Sequence, residues 1–123
     1  MITFDTYAWV EYFQGSEKGE EAKQYIDSDG IIFTPTICLS EFKAKLLKEG
    51  ISKSDQEKAI NVILARSLLM PLDSDIALKA AEFKNEGLYL VDAVVYATAM
   101  RNKTQLLTGD KHFEGYDNVR FLG

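Results

Sequence analysis

Four acidic residues occupy positions at which side chains from distant parts of a chain can meet. Asp5, Glu41, Asp92 and Asp110 each lie where an apolar segment meets a turn or a helix. Carboxylates placed at the ends of elements can converge on one pocket, where their mutual repulsion is costly unless a hard cation binds between them. The pattern therefore predicts a metal-dependent enzyme.

Each of these carboxylates also has a purely structural interpretation. Asp is a strong N-cap, so Asp5 could serve only to begin the first helix. Glu41 could pair with Lys45, four residues later on a solvated helix face. Asp92 could interact with the dipole at a helix start, and Asp110 could be an ordinary turn residue. The functional interpretation requires all four carboxylates to lie together.

Length and composition limit the alternatives. The chain has 123 residues, of which 46% are hydrophobic, as expected for one globular domain over residues 1–123. The only cysteine, Cys38, can form no disulfide within the chain, and the sequence shows neither a basic leader nor an apolar run long enough to cross a bilayer. We therefore expect a cytoplasmic protein. The single histidine, His112, is expected in a loop and cannot supply a zinc site with several imidazoles.

The charge balance bears on the type of substrate. The formal net charge is −5, whereas tight nonspecific binding to nucleic acid depends on Lys and Arg contacts to phosphate. Four of the negative charges belong to the predicted site, however, and a divalent cation there would reverse part of the repulsion towards phosphate. A phosphodiester substrate is therefore compatible with this composition.

Short apolar runs alternate with helical patterns along the chain. The runs predict strands over residues 2–5, 31–33, 68–72, 105–108 and 118–122. Helical spacing, N-caps and glycine stops predict helices over residues 6–13, 17–28, 35–48, 52–67, 74–85 and 90–102. Within this pattern, Thr34 is predicted to cap a helix that begins with Pro35, and Asp73 or Ser74 to cap the fifth helix.

Strands that are separated by helices and lack alternating polarity predict a parallel sheet covered on both faces, a three-layer α/β/α arrangement. Ligands of such sheets bind beyond the carboxyl ends of the strands, where the strand order reverses. Asp5 and Asp110 follow two strands, and the helix starts that carry Glu41 and Asp92 open towards the same edge. Four oxygen donors meeting there would select Mg²⁺ or Mn²⁺.

Four sequence segments resemble the acidic motifs of PIN-domain ribonucleases, particularly VapC-like toxins of toxin-antitoxin pairs. They are ITFDTYAW at 2–9, PTICLSEF at 35–42, VDAVVYA at 91–97 and LTGDKHF at 107–113. The resemblance covers nearly the whole chain. It implies a five-stranded, mainly parallel sheet between helices, dependence on Mg²⁺ or Mn²⁺, cleavage of RNA within the strand, dimerisation, and inhibition by a small antitoxin.

Carried over residue by residue, the resemblance assigns Asp5, Glu41, Asp92 and Asp110 to the acidic quartet. Thr108 matches the hydroxyl that many relatives have two positions before the last acid. One departure is Gly109, where many relatives have a polar or basic residue, and it bears on substrate contacts.

A mechanism follows from the cluster. A divalent cation held by Asp5 and Asp92 would activate water for in-line attack on phosphorus, while a neighbouring carboxylate orients the nucleophile. Loss of the 3′ oxygen would leave 5′-phosphate and 3′-hydroxyl ends. Either one ion or two could act.

Three other classes are less consistent with the residues. A phosphoacceptor receiver domain needs paired acids after its first strand, and a haloacid-dehalogenase-like phosphatase needs Asp-x-Asp at that place, whereas this chain has Asp5-Thr6-Tyr7. The third alternative is a catalytically silent module of the same fold that binds RNA or a protein partner. A metal-titrated cleavage assay distinguishes this module from an enzyme.

Overall fold

The computed structural model describes residues 1–123 and contains five strands, six α-helices and one 3₁₀ turn. The strands are β1 Ile2–Phe4, β2 Ile32–Pro35, β3 Leu68–Met70, β4 Gln105–Thr108 and β5 Val119–Phe121. The helices are α1 Thr6–Gln14, α2 Glu17–Asp27, α3 Thr36–Lys48, α4 Lys53–Arg66, α5 Ser74–Glu86 and α6 Leu90–Asn102, and the 3₁₀ turn is Lys111–Phe113. The predicted elements are therefore confirmed in type and order.

All five strands are parallel and lie in the order β3-β2-β1-β4-β5. The chain first builds outward from β1 to β2 and β3, and then returns to place β4 and β5 on the other side. The strand order therefore reverses at β1, which pairs with both β2 and β4. This reversal is the place where open parallel sheets bind ligands.

Helices cover both faces of the sheet, as predicted. Successive residues of a strand point to opposite faces, and Leu106 and Leu107 of β4 accordingly belong to two different apolar clusters. Leu106 packs in the cluster that includes α5 and α6, whereas Leu107 packs with residues from α1, α2 and α4. Burial on both faces explains why the strand sequences are continuously apolar.

Short polar side chains fix where several helices begin. Ser16, Ser52 and Asp73 each accept a hydrogen bond from the backbone N–H three residues later. Asp73, and not Ser74, is thus the cap of α5. These caps satisfy backbone donors that have no partner within the helix.

The predicted cap at Thr34 is wrong. Thr34 belongs to β2 and is fully buried, and Pro35 is the residue that precedes α3. The Thr34 hydroxyl accepts a hydrogen bond from the Trp9 indole N–H at 3.1 Å and donates to the Ser67 hydroxyl at 2.8 Å. Tertiary hydrogen bonding from α1 and the end of α4 therefore overrides the local Thr-Pro capping signal.

This network predicts the effect of replacing Thr34 by the isosteric valine. Thr34→Val leaves the buried indole N–H of Trp9 without an acceptor, so the free energy of unfolding should fall by about 1–3 kcal/mol. Urea denaturation followed by tryptophan fluorescence measures this directly, because Trp9 is the only tryptophan. The control is Thr36→Val, whose half-buried side chain forms none of these bonds. Equal small losses in both variants would contradict the assigned network.

Candidate metal centre

The four predicted carboxylates line one cavity. This cavity has a volume of about 310 Å³ and lies beside the carboxyl ends of β1 and β4. Its wall is formed by twelve residues, namely Asp5, Thr6, Tyr7, Val10, Glu11, Gln14, Glu41, Lys45, Asp92, Val95, Asp110 and Phe113. The chain thus brings together acids that are far apart in sequence, as the strand-end argument requires.

Asp5 occupies the junction between β1 and α1. Its backbone N–H donates to the carbonyl of Leu107 on β4, and its Oδ1 accepts from the N–H of Ala8, so the residue is also the N-cap of α1. The side chain is buried, with 6% of the residue exposed. Burial is the main cause that raises the pKa of Asp5 from 3.8 to about 7, and the charges of Asp110 and Asp92 add to it. Capping is therefore one role of Asp5, but it does not explain the burial of a carboxylate among like charges.

Glu41 projects from the second turn of α3 and is held from α1. The hydroxyl of Thr6 donates to Oε1 of Glu41 at 2.8 Å. The considered surface pair between Glu41 and Lys45 does not form, because the ammonium group of Lys45 binds Oε1 of Glu49 at 2.9 Å. Glu41 consequently keeps its charge available to the cavity.

Asp92 and Asp110 approach each other across a histidine. Nδ1 of His112 lies 2.9 Å from Oδ1 of Asp110 and 3.4 Å from Oδ2 of Asp92. Burial, followed by the charge of Asp110, raises the pKa of Asp92, whereas His112 acts in the opposite direction. Asp110 also caps the 3₁₀ turn by accepting the backbone N–H of His112 at 2.9 Å.

His112 is the residue of this site that the sequence argument missed. It was expected in a loop without a role, but the 3₁₀ turn brings its ring to the two carboxylates. One sequence signal was present: an Asp that follows a strand often binds the backbone N–H two residues later. That short turn places the side chain at the second position next to the Asp.

Thr108 lies behind the cavity and does not line it. Its side chain is fully buried at the end of β4 and accepts a hydrogen bond from the backbone N–H of Asp110 at 3.0 Å. Hydrogen bonding to Thr108 also lowers the pKa of Asp5 against the effect of burial. Thr108 therefore joins the ends of β1 and β4 by contacting both acidic residues.

A steric constraint explains why residue 109 of this chain is a glycine. A Cβ atom at position 109 would lie 2.2 Å from Cε1 of Tyr7, whose ring lines the cavity. Any side chain at this position would displace the Tyr7 ring. The ring of Tyr7 therefore occupies the space that a polar or basic side chain at position 109 would need.

The donor set fits a hard divalent cation. Ligand atoms of Asp92, Asp110 and His112 all lie within 4.8 Å of one another, and Asp5 and Glu41 face the same cavity. None of these four carboxylates forms an ion pair with Lys or Arg. Carboxylate oxygens with at most one imidazole nitrogen suit Mg²⁺ or Mn²⁺.

A model of the PIN domain family matches residues 2–119, and the chain therefore belongs to the PIN domain family. The similarity to VapC-like PIN toxins predicted from the four motifs is confirmed by solved structures with the same fold. No curated protein gave a significant match. As to membranes, no helix is long and apolar enough to span a bilayer.

The structural relatives include several toxin-antitoxin proteins. A toxin-antitoxin complex from Klebsiella pneumoniae has 26% identity and a TM-score of 0.80, with 98% of this chain and 96% of that chain covered. VapC20 of Mycobacterium tuberculosis, described as a sarcin-ricin loop cleaving toxin, has 18% identity, a TM-score of 0.80 and full coverage of both chains. VapBC2 of Rickettsia felis, bound to a promoter DNA fragment, has 15% identity and a TM-score of 0.77 over 98% of this chain and 97% of that chain. At these low identities, the last two show the fold alone.

The burial of Asp5, to which the repulsion from Asp110 and Asp92 adds, predicts an unusual stability effect. The pKa of Asp5 is about 7 in the folded protein but 3.8 in the unfolded chain. Between these two pH values the folded state therefore binds more protons than the unfolded state. Stability should therefore fall as pH rises through this window. Asp5→Asn keeps a capping side chain but removes the charge, so it should raise the melting temperature of the metal-free protein at pH 8, and less so at pH 5.

Differential scanning calorimetry in EDTA measures this effect, and added Mg²⁺ should stabilise the unsubstituted protein more than Asp5→Asn. The control is Asp29→Asn, which removes the same charge from an exposed turn before β2, at the opposite edge of the sheet. A loss of stability in Asp5→Asn that is equal at both pH values would mean that Asp5 acts only as a helix cap.

Proposed function

We propose that this protein is a metal-dependent endoribonuclease that hydrolyses RNA to 5′-phosphate and 3′-hydroxyl ends, and that it is the toxin of a type II toxin-antitoxin pair. One observation carries the proposal: four carboxylates without Lys or Arg partners line a single cavity at the reversal of strand order in a PIN-family chain. Holding like charges together costs folding energy, and a bound cation accounts for that arrangement.

In this proposal, Asp5, Asp92 and Asp110 hold Mg²⁺ or Mn²⁺, with Glu41 as the fourth acid of the site. When bound, the cation stabilises negative charge on the phosphate oxygens and makes water more acidic. His112, whose Nδ1 lies beside Asp92 and Asp110, would be the one nitrogen ligand available to the cation.

The protein's own groups have separate tasks in this reaction. Glu41 accepts a proton from the attacking water, and the Thr6 hydroxyl keeps its carboxylate turned into the cavity. The new bond joins the water oxygen to phosphorus, the bond from phosphorus to the 3′ oxygen breaks in line with it, and the 3′ oxygen takes up a proton from solvent. Thr108 holds the loop of Asp110 in place, and Val10 and Val95 belong to the apolar part of the wall.

The proposal also includes partners. The complex from Klebsiella pneumoniae contains a toxin and an antitoxin, and it resembles this chain over 98% of its length, which supports a small antitoxin as the partner here. We also propose a homodimer, which the resemblance to VapC-like toxins implies, and exposed leucines such as Leu78 (71%) and Leu68 (56%) are available to such a contact. We further propose a single nuclease domain over residues 1–123 and a cytoplasmic location, where the lone Cys38 stays reduced.

A cleavage assay with a matched variant tests the activity. Asp92→Asn should lower the rate of RNA cleavage in Mg²⁺ by about two orders of magnitude or more, because the charge that holds the ion is lost at the reacting phosphate. Asp29→Asn, the remote control, should cleave normally. Circular dichroism verifies that both variants are folded, and end-labelling of the fragments identifies the 5′-phosphate.

Two results would contradict the proposal. Cleavage that persists in EDTA, or in folded Asp92→Asn, would exclude a metal-dependent reaction at this cavity. RNA binding without cleavage in Mg²⁺ and Mn²⁺ would instead identify the catalytically silent module.

A further inference from the structure

Tyr89 and His112 form an exposed aromatic pair next to the cavity, and only His112 has a role in the mechanism above. Tyr89, the residue before α6, is 68% exposed and is the only one of six tyrosines on the open surface. Its ring contacts the ring of His112 edge to face, with 5.0 Å between the centroids and 80° between the planes. The His112 side chain is itself 55% exposed. Because the two rings are nearly perpendicular, a planar group can stack on one ring while its edge meets the other.

This pair is connected directly to the acidic residues. The same His112 ring that contacts Tyr89 lies 2.9 Å from Asp110 and 3.4 Å from Asp92 through Nδ1. A group bound on the Tyr89 ring would therefore lie one side chain away from the carboxylates. In a nucleic acid held with its phosphate at the carboxylates, the group at that distance is the neighbouring base.

The charges around the cavity indicate that RNA needs a contact other than phosphate pairing. Lys45 is the only basic residue that lines the cavity, and its ammonium group is already paired with Glu49. With a net charge of −5, counterion release contributes little affinity. Stacking of a base on an aromatic side chain does not depend on charge and increases affinity by roughly ten- to a hundredfold per base.

We propose that Tyr89 and His112 form a stacking subsite for an unpaired base adjacent to the scissile phosphate. This inference rests on the proposed function and names the structural class of its substrate. A base inside a duplex has both faces covered by its neighbours, so only a loop, bulge or strand end can present a free face. Lys111, which precedes His112 in the 3₁₀ turn, is exposed and forms no ion pair, so its charge is available to the flanking phosphate.

The test is a double-mutant cycle between Tyr89 and the base. The substrate is an RNA hairpin that is cleaved at one mapped position in its loop, together with two versions in which the nucleotide on either side of that position is abasic. One abasic substitution should lower kcat/KM of the unsubstituted protein at least about tenfold. Tyr89→Ala should lower kcat/KM on the intact hairpin by a similar factor. On the abasic hairpin, kcat/KM of Tyr89→Ala should be close to that of the unsubstituted protein.

Two further variants separate stacking from other effects of the substitution. Tyr89→Phe keeps the ring and should cleave like the unsubstituted protein. Phe121→Ala removes an aromatic side chain that is 40% exposed on β5, and it should respond to the abasic substitution as the unsubstituted protein does. The intact-to-abasic ratio of kcat/KM is the decisive number, because a merely structural role of Tyr89 would lower both rates equally.

The possible outcomes separate this inference from the proposed nuclease activity. Normal cleavage with the same intact-to-abasic ratio in Tyr89→Ala and the unsubstituted protein overturns the subsite alone. If Tyr89→Ala also changes a dimer to a monomer in light scattering, Tyr89 belongs to a contact between two copies. If no RNA is cleaved, fluorescence anisotropy with the same labelled hairpins gives the ratio from binding, and absence of binding overturns both proposals.

Discussion

The burial of one carboxylate beside two others is the constraint on which the rest of this site depends. Asp5 is buried beside Asp92 and Asp110, and burial together with their charges raises its pKa to about 7. The fold keeps these groups together because β1, at the centre of the sheet, is paired on both sides and fully buried. The backbone N–H of Ala8 donates a hydrogen bond to Asp5, and the hydroxyl of Thr6 donates one to Glu41.

The sequence alone was sufficient for the architecture and for the convergence of the acids. Continuous apolar strands separated by capped helices predict a parallel sheet with both faces covered, and this sheet is observed. Asp5 and Asp110 were identified because each follows a buried strand, and parallel strands end at one edge. Glu41 and Asp92 followed because helix starts after parallel strands face that same edge.

The misjudged residues share one physical cause, which is that contacts distant in sequence leave no local pattern. Thr34 precedes a proline and looks like a helix cap, but the indole of Trp9 and the hydroxyl of Ser67 hold it in a strand. His112 looked like a loop residue, because the direction of its ring depends on a 3₁₀ turn. The need for glycine at position 109 is visible only once the ring of Tyr7 is in place.

The central place of β1 has a consequence for synthesis of the protein. Residues 2–4 of β1 pair with residues 105–107 of β4, and the hydroxyls of Thr3 and Thr104 form a hydrogen bond of 2.6 Å. The first strand therefore completes its pairing only when the fourth strand is present. Asp110 can come beside Asp5 only after β4 has been synthesised and has paired with β1. No shorter N-terminal segment of the chain can therefore form the carboxylate cavity during translation.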